Sequence, residues 1–203
     1  MITIAIPRGR LFQESVDLLF ERNVIRKKIE EGRKLTVSLD GVELLLVKPL
    51  DLPLYVESGT ADLGICGLDV YLEKNPDVYR LLDLKLGACR ISVAGKPESR
   101  KILERCNSPV VATKYPNITK KHFTNKGISP RIIEMSGSVE LGAVLGIADF
   151  IVDLVQTGRT LKENGLVEIE VIDHSSGWLI CNRASFRNKR EEITRILQAL
   201  QTP

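Results

Sequence analysis

The stretch Asp149-Phe-Ile-Val-Asp153-Leu-Val-Gln-Thr157-Gly158-Arg159-Thr160-Leu161 holds residue types that could do chemistry together. An apolar run delivers Asp153 to its end, and Thr157-Gly158-Arg159-Thr160 then turns into a helical pattern. Such a turn aims consecutive backbone N–H groups outward, and a helix start adds positive potential. Two threonine hydroxyls and the Arg159 guanidinium supply further donors. The combination suits one phosphate monoester, and an acid just upstream can hold ribose hydroxyls or Mg²⁺. Strand, acid and Thr-Gly-x-Thr loop together are what a 5-phosphoribosyl group requires. The competing reading is a structural turn with capping threonines.

Pro7-Arg8-Gly9-Arg10 is a second basic feature, where glycine permits close backbone approach between two guanidiniums. It reads either as a polyphosphate contact or as solvated charge at a helix start. Gly67-Leu68-Asp69 is a third candidate: a nucleotide could lie against the glycine turn with Asp69 accepting hydrogen bonds, or Asp69 could simply cap a helix. Lys48 and Asp51, flanking Pro49-Leu50, and Arg33-Lys34 read as surface charge on local grounds.

The elements that would position these residues alternate. Ile2 to Ile6 reads as a buried strand, followed by a helix over Leu11 to Asn23 with Phe12, Val16 and Leu19 in phase. Leu35 to Leu39 and Val42 to Val47 flank the hairpin signal Asp40-Gly41. A short helix spans Asp51 to Ser58, with Asp51 as N-cap and Gly59 ending it. Asp62 to Cys66, Arg90 to Gly95, Val110 to Thr113, Arg131 to Met135, Phe150 to Val155, Val167 to Ile172 and Trp178 to Cys181 read as strands. Helices fit from Asp69, over Ser99 to Arg105, Ile118 to Lys126, Val139 to Leu145, and in a charged amphipathic run from Arg187 to Leu200. The alternation predicts an α/β protein with largely parallel sheets.

Gly59-Thr-Ala-Asp-Leu-Gly-Ile65 and Gly146-Ile-Ala-Asp-Phe-Ile-Val152 share a pattern, each running from a short helix into a strand. Two lobes of similar design, each with its own sheet, would produce this, and chance similarity is the alternative. Facing α/β lobes place a ligand cleft between the carboxyl ends of their strands.

Bulk properties exclude several classes. The chain has 203 residues, 43% hydrophobic and 27% charged, with a net charge of +3. That charge is too mild for a nucleic-acid stripe and does not by itself identify a partner. Cys66, Cys89, Cys106 and Cys181 form no C-x-x-C pair, and His122 and His174 are the only histidines, so a zinc site is not expected. The cysteines read as small buried hydrophobes in a reducing compartment. No apolar run reaches the ~20 residues of a membrane span, and no signal-peptide pattern follows Met1, so a cytoplasmic location is expected.

With these segments in view, the sequence resembles the short form of ATP phosphoribosyltransferase. The resemblance is carried by Ala5-Ile-Pro-Arg-Gly-Arg10, Val47-Lys-Pro-Leu-Asp51, Gly59 to Asp69, Ala112-Thr-Lys-Tyr-Pro-Asn-Ile-Thr119, Gly137-Ser-Val-Glu-Leu141 and Ile151 to Leu161. It implies a two-lobed fold like the type II periplasmic binding proteins. Residues 1–92 plus 174–203 would form lobe I, on the ATP and pyrophosphate side, and residues 93–173 lobe II, with the phosphoribosyl pyrophosphate loop. It implies transfer of a phosphoribosyl group from phosphoribosyl pyrophosphate to N1 of ATP's adenine, with Mg²⁺, in the first step of histidine biosynthesis.

Carried onto this sequence, Asp153, Thr157, Gly158, Arg159, Thr160 and Leu161 would hold ribose and 5-phosphate, with Glu140 near the sugar and Asp153 a candidate Mg²⁺ ligand. Arg10 and Arg33 would be catalytic, neutralising phosphates or the leaving pyrophosphate. Arg8, Gly9, Lys48, Gly67 and Asp69 would lie with ATP. Lys48 stands where many relatives have Arg, which weakens a bidentate role there. The resemblance also implies a histidyl-tRNA-synthetase-like regulatory subunit, with a homodimer as core unit, and no nucleic acid or membrane partner. A solute-sensing module of the same fold and a salvage phosphoribosyltransferase are the rivals. The salvage enzymes usually carry two adjacent acids before the Thr-Gly-x-Thr turn, whereas Val152 precedes Asp153.

Overall fold

The computed structural model describes residues 1–39, 41–103 and 107–201. Asp40 of the expected hairpin turn, Arg105 at the end of an expected helix, and Cys106 lie outside the described residues. The chain forms two compact units, Met1–Gly87 with Ser176–Pro203, and Ala88–Ser175.

In the first unit, β1 (Ile2–Pro7) leads to α1 (Phe12–Glu21), the hairpin strands β2 (Thr36–Leu39) and β3 (Val42–Val47), α2 (Leu52–Glu57), β4 (Leu63–Gly67) and α3 (Leu68–Lys74). A long strand, β5 (Tyr79–Gly95), then carries the chain into the second unit. There follow α4 (Arg100–Leu103), β6 (Val110–Thr113), α5 (Pro116–Asn125), β7 (Arg131–Glu134), α6 (Glu140–Val144), β8 (Phe150–Val155) and α7 (Arg159–Glu163). The second long strand, β9 (Val167–Cys181), returns to the first unit, which α8 (Arg183–Asn188) and α9 (Arg190–Gln201) complete.

β1 is apolar on both faces because it is a central strand, parallel to β3 on one side and β4 on the other. Its alternate residues feed two cores. Ile4 and Ile6 pack with Phe12, Val16 and Leu19 of α1 and with Ile193 and Ile196 of α9. Ala5 faces Leu52 and Val56 of α2 and Val70 of α3. The same alternation puts Ile65 and Leu179 in the first cluster and Cys66 and Ile180 in the second. In the second unit, β8 and β7 flank β6 as parallel partners, and Ala112, Ile151, Val155, Ala143 and Leu161 share one cluster.

Parallel pairing fills the middle of each unit. An antiparallel strand joins it in both: β9 beside β4, with Leu63 opposite Cys181, and β5 beside β8, with Ser92 opposite Asp153. β2 adds a further antiparallel pair to β3.

Three local expectations need correction. The strands expected at Arg90–Gly95 and at Val167–Ile172 with Trp178–Cys181 are parts of much longer ones, β5 and β9. Asp173, Ser175, Ser176 and Gly177 are poor strand formers, but long-range pairing overrides local preference: Ser176 Oγ donates to Asp83 Oδ1 at 2.7 Å. The expected helix Arg187–Leu200 is instead α8 and α9, broken at Lys189, whose φ/ψ of −124°/33° is not helical. Asn182 caps α8 by accepting from Ser185 N–H at 2.9 Å. Asp51 lies at the start of α2 but makes no side-chain cap, because its backbone already continues a 3₁₀ turn over Pro49–Asp51.

The two Gly-x-Ala-Asp segments do the same structural work. Asp62 accepts from Thr3 N–H at 2.9 Å while its own N–H donates to the Thr3 carbonyl. Asp149 does the same with Val110, at 2.8 Å. Each aspartate thus pins the start of the first parallel strand of its unit. Gly59 and Gly146 both take a positive φ, 77° and 72°, before a buried alanine. The β1-α1-β3-α2-β4 order is therefore matched by β6-α5-β7-α6-β8.

Candidate active site

The second unit gathers its polar residues at the carboxyl ends of its parallel strands. β8 ends past Asp153, which is 15% exposed at its side chain. Gly158 then takes φ 76° at the start of α7, a conformation that only glycine adopts without strain. Lys162 N–H closes onto the Gly158 carbonyl, so the N–H groups before it have no intrahelical acceptor. Arg159 N–H donates to Thr157 Oγ1 at 3.4 Å, folding the loop on itself. Gln156, Thr157, Arg159 and Thr160 are exposed while Leu161 is buried in the core, so the loop is anchored from below and open above. α7 is little more than one turn, so individual amides and hydroxyls, more than a helix dipole, would serve an anion.

Glu140 opens α6 after β7 and is half-buried. Just before it, Ser138 holds φ 47°, a left-handed conformation uncommon outside glycine and frequent at functional sites. Sequence reasoning left one residue without a role: Lys114. It directly follows β6 and reaches Asp153 Oδ1 at 3.0 Å. Its local signal was slight, a lysine between a strand and the Pro116 that starts α5. Only the β6–β8 register, with Thr113 opposite Val152, places it beside Asp153.

In the first unit, the corresponding strand ends carry Pro7-Arg8-Gly9-Arg10, Lys48 and Gly67-Leu68-Asp69. The Arg8 guanidinium donates to the carbonyls of Gly32 and Lys34 at 2.6 and 2.7 Å. It thereby holds the segment bearing exposed Arg33 beside the β1–α1 turn. Gly9 N–H donates to the Glu31 carboxylate, at 3.1 and 3.2 Å to its two oxygens. Arg10 donates to the Gly87 carbonyl, which spends one of its five N–H groups. Lys48 is exposed after β3. Asp69 is buried in the first turn of α3, whose N-cap position belongs to Gly67 and not to Asp69. A β-carbon on Gly67 would fall 2.4 Å from Asp69 Oδ1, so any other residue there would displace that carboxylate.

The two units differ at equivalent places. Ala5 pairs with Gly64 as Ala112 pairs with Ile151, and two residues further on stand Pro7 and Cys66 in one unit, Lys114 and Asp153 in the other. The first unit has thus no ion pair where the second has one. Burial, reinforced by the charge of Asp69, pushes the Cys66 thiol far up, and burial next to Asp62 pushes Cys181 up to about 12. Both thiols are buried, protonated at neutral pH and unsuited to nucleophilic or metal chemistry.

Among the described residues, no group of three His, Cys, Asp or Glu side chains could hold a metal ion. Asp153 Oδ1 is already engaged by Lys114 and by Leu154 N–H. The described residues thus do not make a protein cage for a divalent ion.

The fold belongs to the class of periplasmic-binding-protein-like α/β proteins: the VFT2 domain of Bordetella pertussis BvgS superposes with TM-score 0.62 at 13% identity, over 99% of this chain and 87% of that one. Relatives of similar length specify more. An ATP phosphoribosyltransferase from Aquifex aeolicus is 56% identical over 98% of this chain and 94% of its own length. One from Geobacillus sp. is 45% identical over 98% of this chain and 97% of its own. A structure titled ATP phosphoribosyl transferase (HisG:HisZ) complex from Thermotoga maritima matches with TM-score 0.85 and 35% identity, over 99% of this chain and 97% of that one. The HisG family model, ATP phosphoribosyltransferase, matches residues 48–202. The chain belongs to the ATP phosphoribosyltransferase family, the pentosyl-transferring enzymes that open histidine biosynthesis. Enzymes of this family use a divalent metal.

Proposed function

We propose that this chain joins N1 of ATP's adenine to C1 of phosphoribosyl pyrophosphate, with the sugar and its 5-phosphate held in the second unit. The observation that carries this reading is the loop after β8: a half-buried Asp153, a glycine at φ 76°, and exposed threonines over a buried Leu161. Its amides and hydroxyls suit a terminal phosphoryl, and Asp153 suits ribose hydroxyls. Glu140, at the same end of that sheet, would lie near the sugar.

The guanidiniums of the first unit would meet the polyphosphate. Arg10 has donors to spare, and Arg8 acts by holding the Gly32–Lys34 segment so that Arg33 lies beside it. Gly9, Lys48, Gly67 and Asp69 would lie with ATP. The carboxylate of Glu31, now on Gly9 N–H, would yield that amide to a phosphate oxygen.

The adenine lone pair forms the new N–C bond as the bond from C1 to oxygen breaks, and that electron pair departs with pyrophosphate. Charge grows on the leaving group, so cations placed there accelerate the step. Mg²⁺ would arrive with the diphosphate and not in a protein cage, as small hard cations commonly do. The salvage and solute-sensing readings fit less well: the first expects paired acids, and the second leaves the ribose-phosphate loop unexplained.

We further propose a cytoplasmic enzyme, since no helix among the described residues is long and apolar enough to cross a membrane. It would work as a homodimeric core with a histidyl-tRNA-synthetase-like regulatory subunit, in keeping with the HisG:HisZ complex of Thermotoga maritima.

Incubation with phosphoribosyl pyrophosphate and ATP, with and without a co-expressed partner subunit, should release pyrophosphate and form phosphoribosyl-ATP. Release with free bases in place of ATP would instead identify a salvage enzyme. In the same assay Arg10→Ala should cost ~2–4 kcal/mol of transition-state stabilisation, lowering kcat more than it weakens donor binding. Near-normal turnover with the partner present would remove Arg10 from the chemistry.

A further inference from the structure

We infer that Lys114 is a positioning residue for the sugar-holding carboxylate, aiming Asp153 and offsetting its charge so that it can sit beside a polyanionic sugar. This rests on the reading of Asp153 given above. Four observations carry it.

Lys114 Nζ and Leu154 N–H both meet Oδ1 of Asp153, at 3.0 and 2.7 Å. Among the described residues no hydrogen bond falls on Oδ2, which leaves that oxygen to accept from a ribose hydroxyl. The backbone around Lys114 is locked to the strand bearing Asp153. Thr113 Oγ1 donates to the Val152 carbonyl at 2.7 Å and accepts from Tyr115 N–H at 2.9 Å, with Thr113 fully buried. The lysine side chain is only 29% exposed, and its ammonium lies 5.7 Å from the centre of the buried Tyr115 ring. The head group is therefore held, not waving in solvent.

The fourth observation separates function from architecture. The same strand pair is built a second time in this chain, with Pro7 and Cys66 at the equivalent places and no ion pair. The strand geometry does not require Lys114 and Asp153, so their charges answer to something else. An unneutralised carboxylate beside a phosphate and a diphosphate would repel the substrate that it must hold. A cation within ion-pair distance removes that repulsion while leaving one carboxylate oxygen for hydrogen bonding.

The test compares Lys114→Met, Lys114→Arg, Asp153→Asn and the Lys114→Met/Asp153→Asn pair by calorimetric titration with ribose 5-phosphate and with phosphoribosyl pyrophosphate, and by steady-state kinetics. Lys114→Met should weaken both ligands by about tenfold, the scale of one charge-assisted contact. The loss should appear in KM, with kcat within about threefold, and Lys114→Arg should recover most of it. In the Asp153→Asn background the same change should add less than about twofold, since there is no charge left to offset.

Full additivity in that background overturns the inference. So does a loss confined to phosphoribosyl pyrophosphate, which would put Lys114 directly on the diphosphate. Failure of Lys114→Met to fold would make the pair architectural and end the proposal too. If ribose 5-phosphate binding also ignores Asp153→Asn, the sugar site itself is misplaced. An effect of Asp153→Asn with none from Lys114→Met rejects Lys114 alone.

Discussion

Replacing Thr157 and Thr160 together by valine should weaken phosphoribosyl pyrophosphate binding by about 100-fold or more. Each hydroxyl offered to a phosphate makes a hydrogen bond to a charged group, worth ~1.5–3 kcal/mol. Two such losses therefore reach ~3–6 kcal/mol. Valine keeps the β-branch and volume, and the loop's folded-state cost is small. Thr157 Oγ1 loses only a long 3.4 Å contact from Arg159 N–H, and both threonines are exposed. Thermal unfolding should thus be nearly unchanged while calorimetric affinity collapses. ATP affinity should hold, because the ATP contacts are proposed in the first unit. Unchanged donor affinity in the double variant would move the phosphate site away from this loop.

Asp62→Ala should be strongly destabilising, ~2–4 kcal/mol, because it leaves the Thr3 amide and the buried Ser185 hydroxyl without their acceptor, while the half-exposed Lys189 ammonium can return to solvent. The Asp62 side chain is 5% exposed and takes four contacts. Ser185 Oγ donates at 2.6 Å, Lys189 Nζ lies 2.8 and 2.9 Å from its two oxygens, and Thr3 N–H donates at 2.9 Å. These tie β1, α8 and the break before α9 to a single carboxylate. Asp149→Ala should cost less, ~1–2 kcal/mol, because its carboxylate takes the one strand N–H of Val110 and is half-buried. Denaturant unfolding of the two variants compares them directly. Equal losses would mean that the Lys189 and Ser185 contacts contribute nothing.

Acid should act through the same group. Burial works to raise the Asp62 pKa, but hydrogen bonds from Lys189, Ser185 and Thr3 outweigh it and hold the carboxyl below its usual range. A carboxyl with a depressed folded-state pKa contributes stability above its unfolded value, near 4, and loses that contribution as pH falls through the folded value. The wild-type chain should therefore lose stability below about pH 4 more steeply than Asp62→Ala does. Parallel pH profiles for the two would contradict the assignment.

Much of this molecule is legible along the chain. The continuous apolar run of Ile2 to Ile6 marks a strand buried on both faces, and the repeated Gly-x-Ala-Asp marks the duplicated design. The run into Asp153 and the Thr-Gly-x-Thr turn mark the loop proposed to hold the phosphate, because all its groups are within a few residues of one another. Gly158 is readable in the same way, since the turn that it makes is local.

Other features depend on which distant segments meet. Nothing beside Arg8 in the chain indicates that its guanidinium holds the carbonyls of Gly32 and Lys34, some 25 residues away. The polar stretch Asp173 to Gly177 carries no strand pattern of its own, and pairing across the fold makes it part of β9. Asp62 looked like a strand start, and only packing brought Lys189 to it, 127 residues along the chain.

What the sequence alone determined is most of the elements, their duplication and the local glycine turn at Gly158, because these follow from periodicity and from groups close in the chain. What the tertiary structure alone decided is which charges neutralise which. Lys114 and Asp153 are 39 residues apart and meet because parallel strands β6 and β8 pair in one register. A shift of one residue would turn every side chain of the strand to its other face. Register is fixed by the whole core, so the partner of a charge cannot be read from its neighbours in sequence.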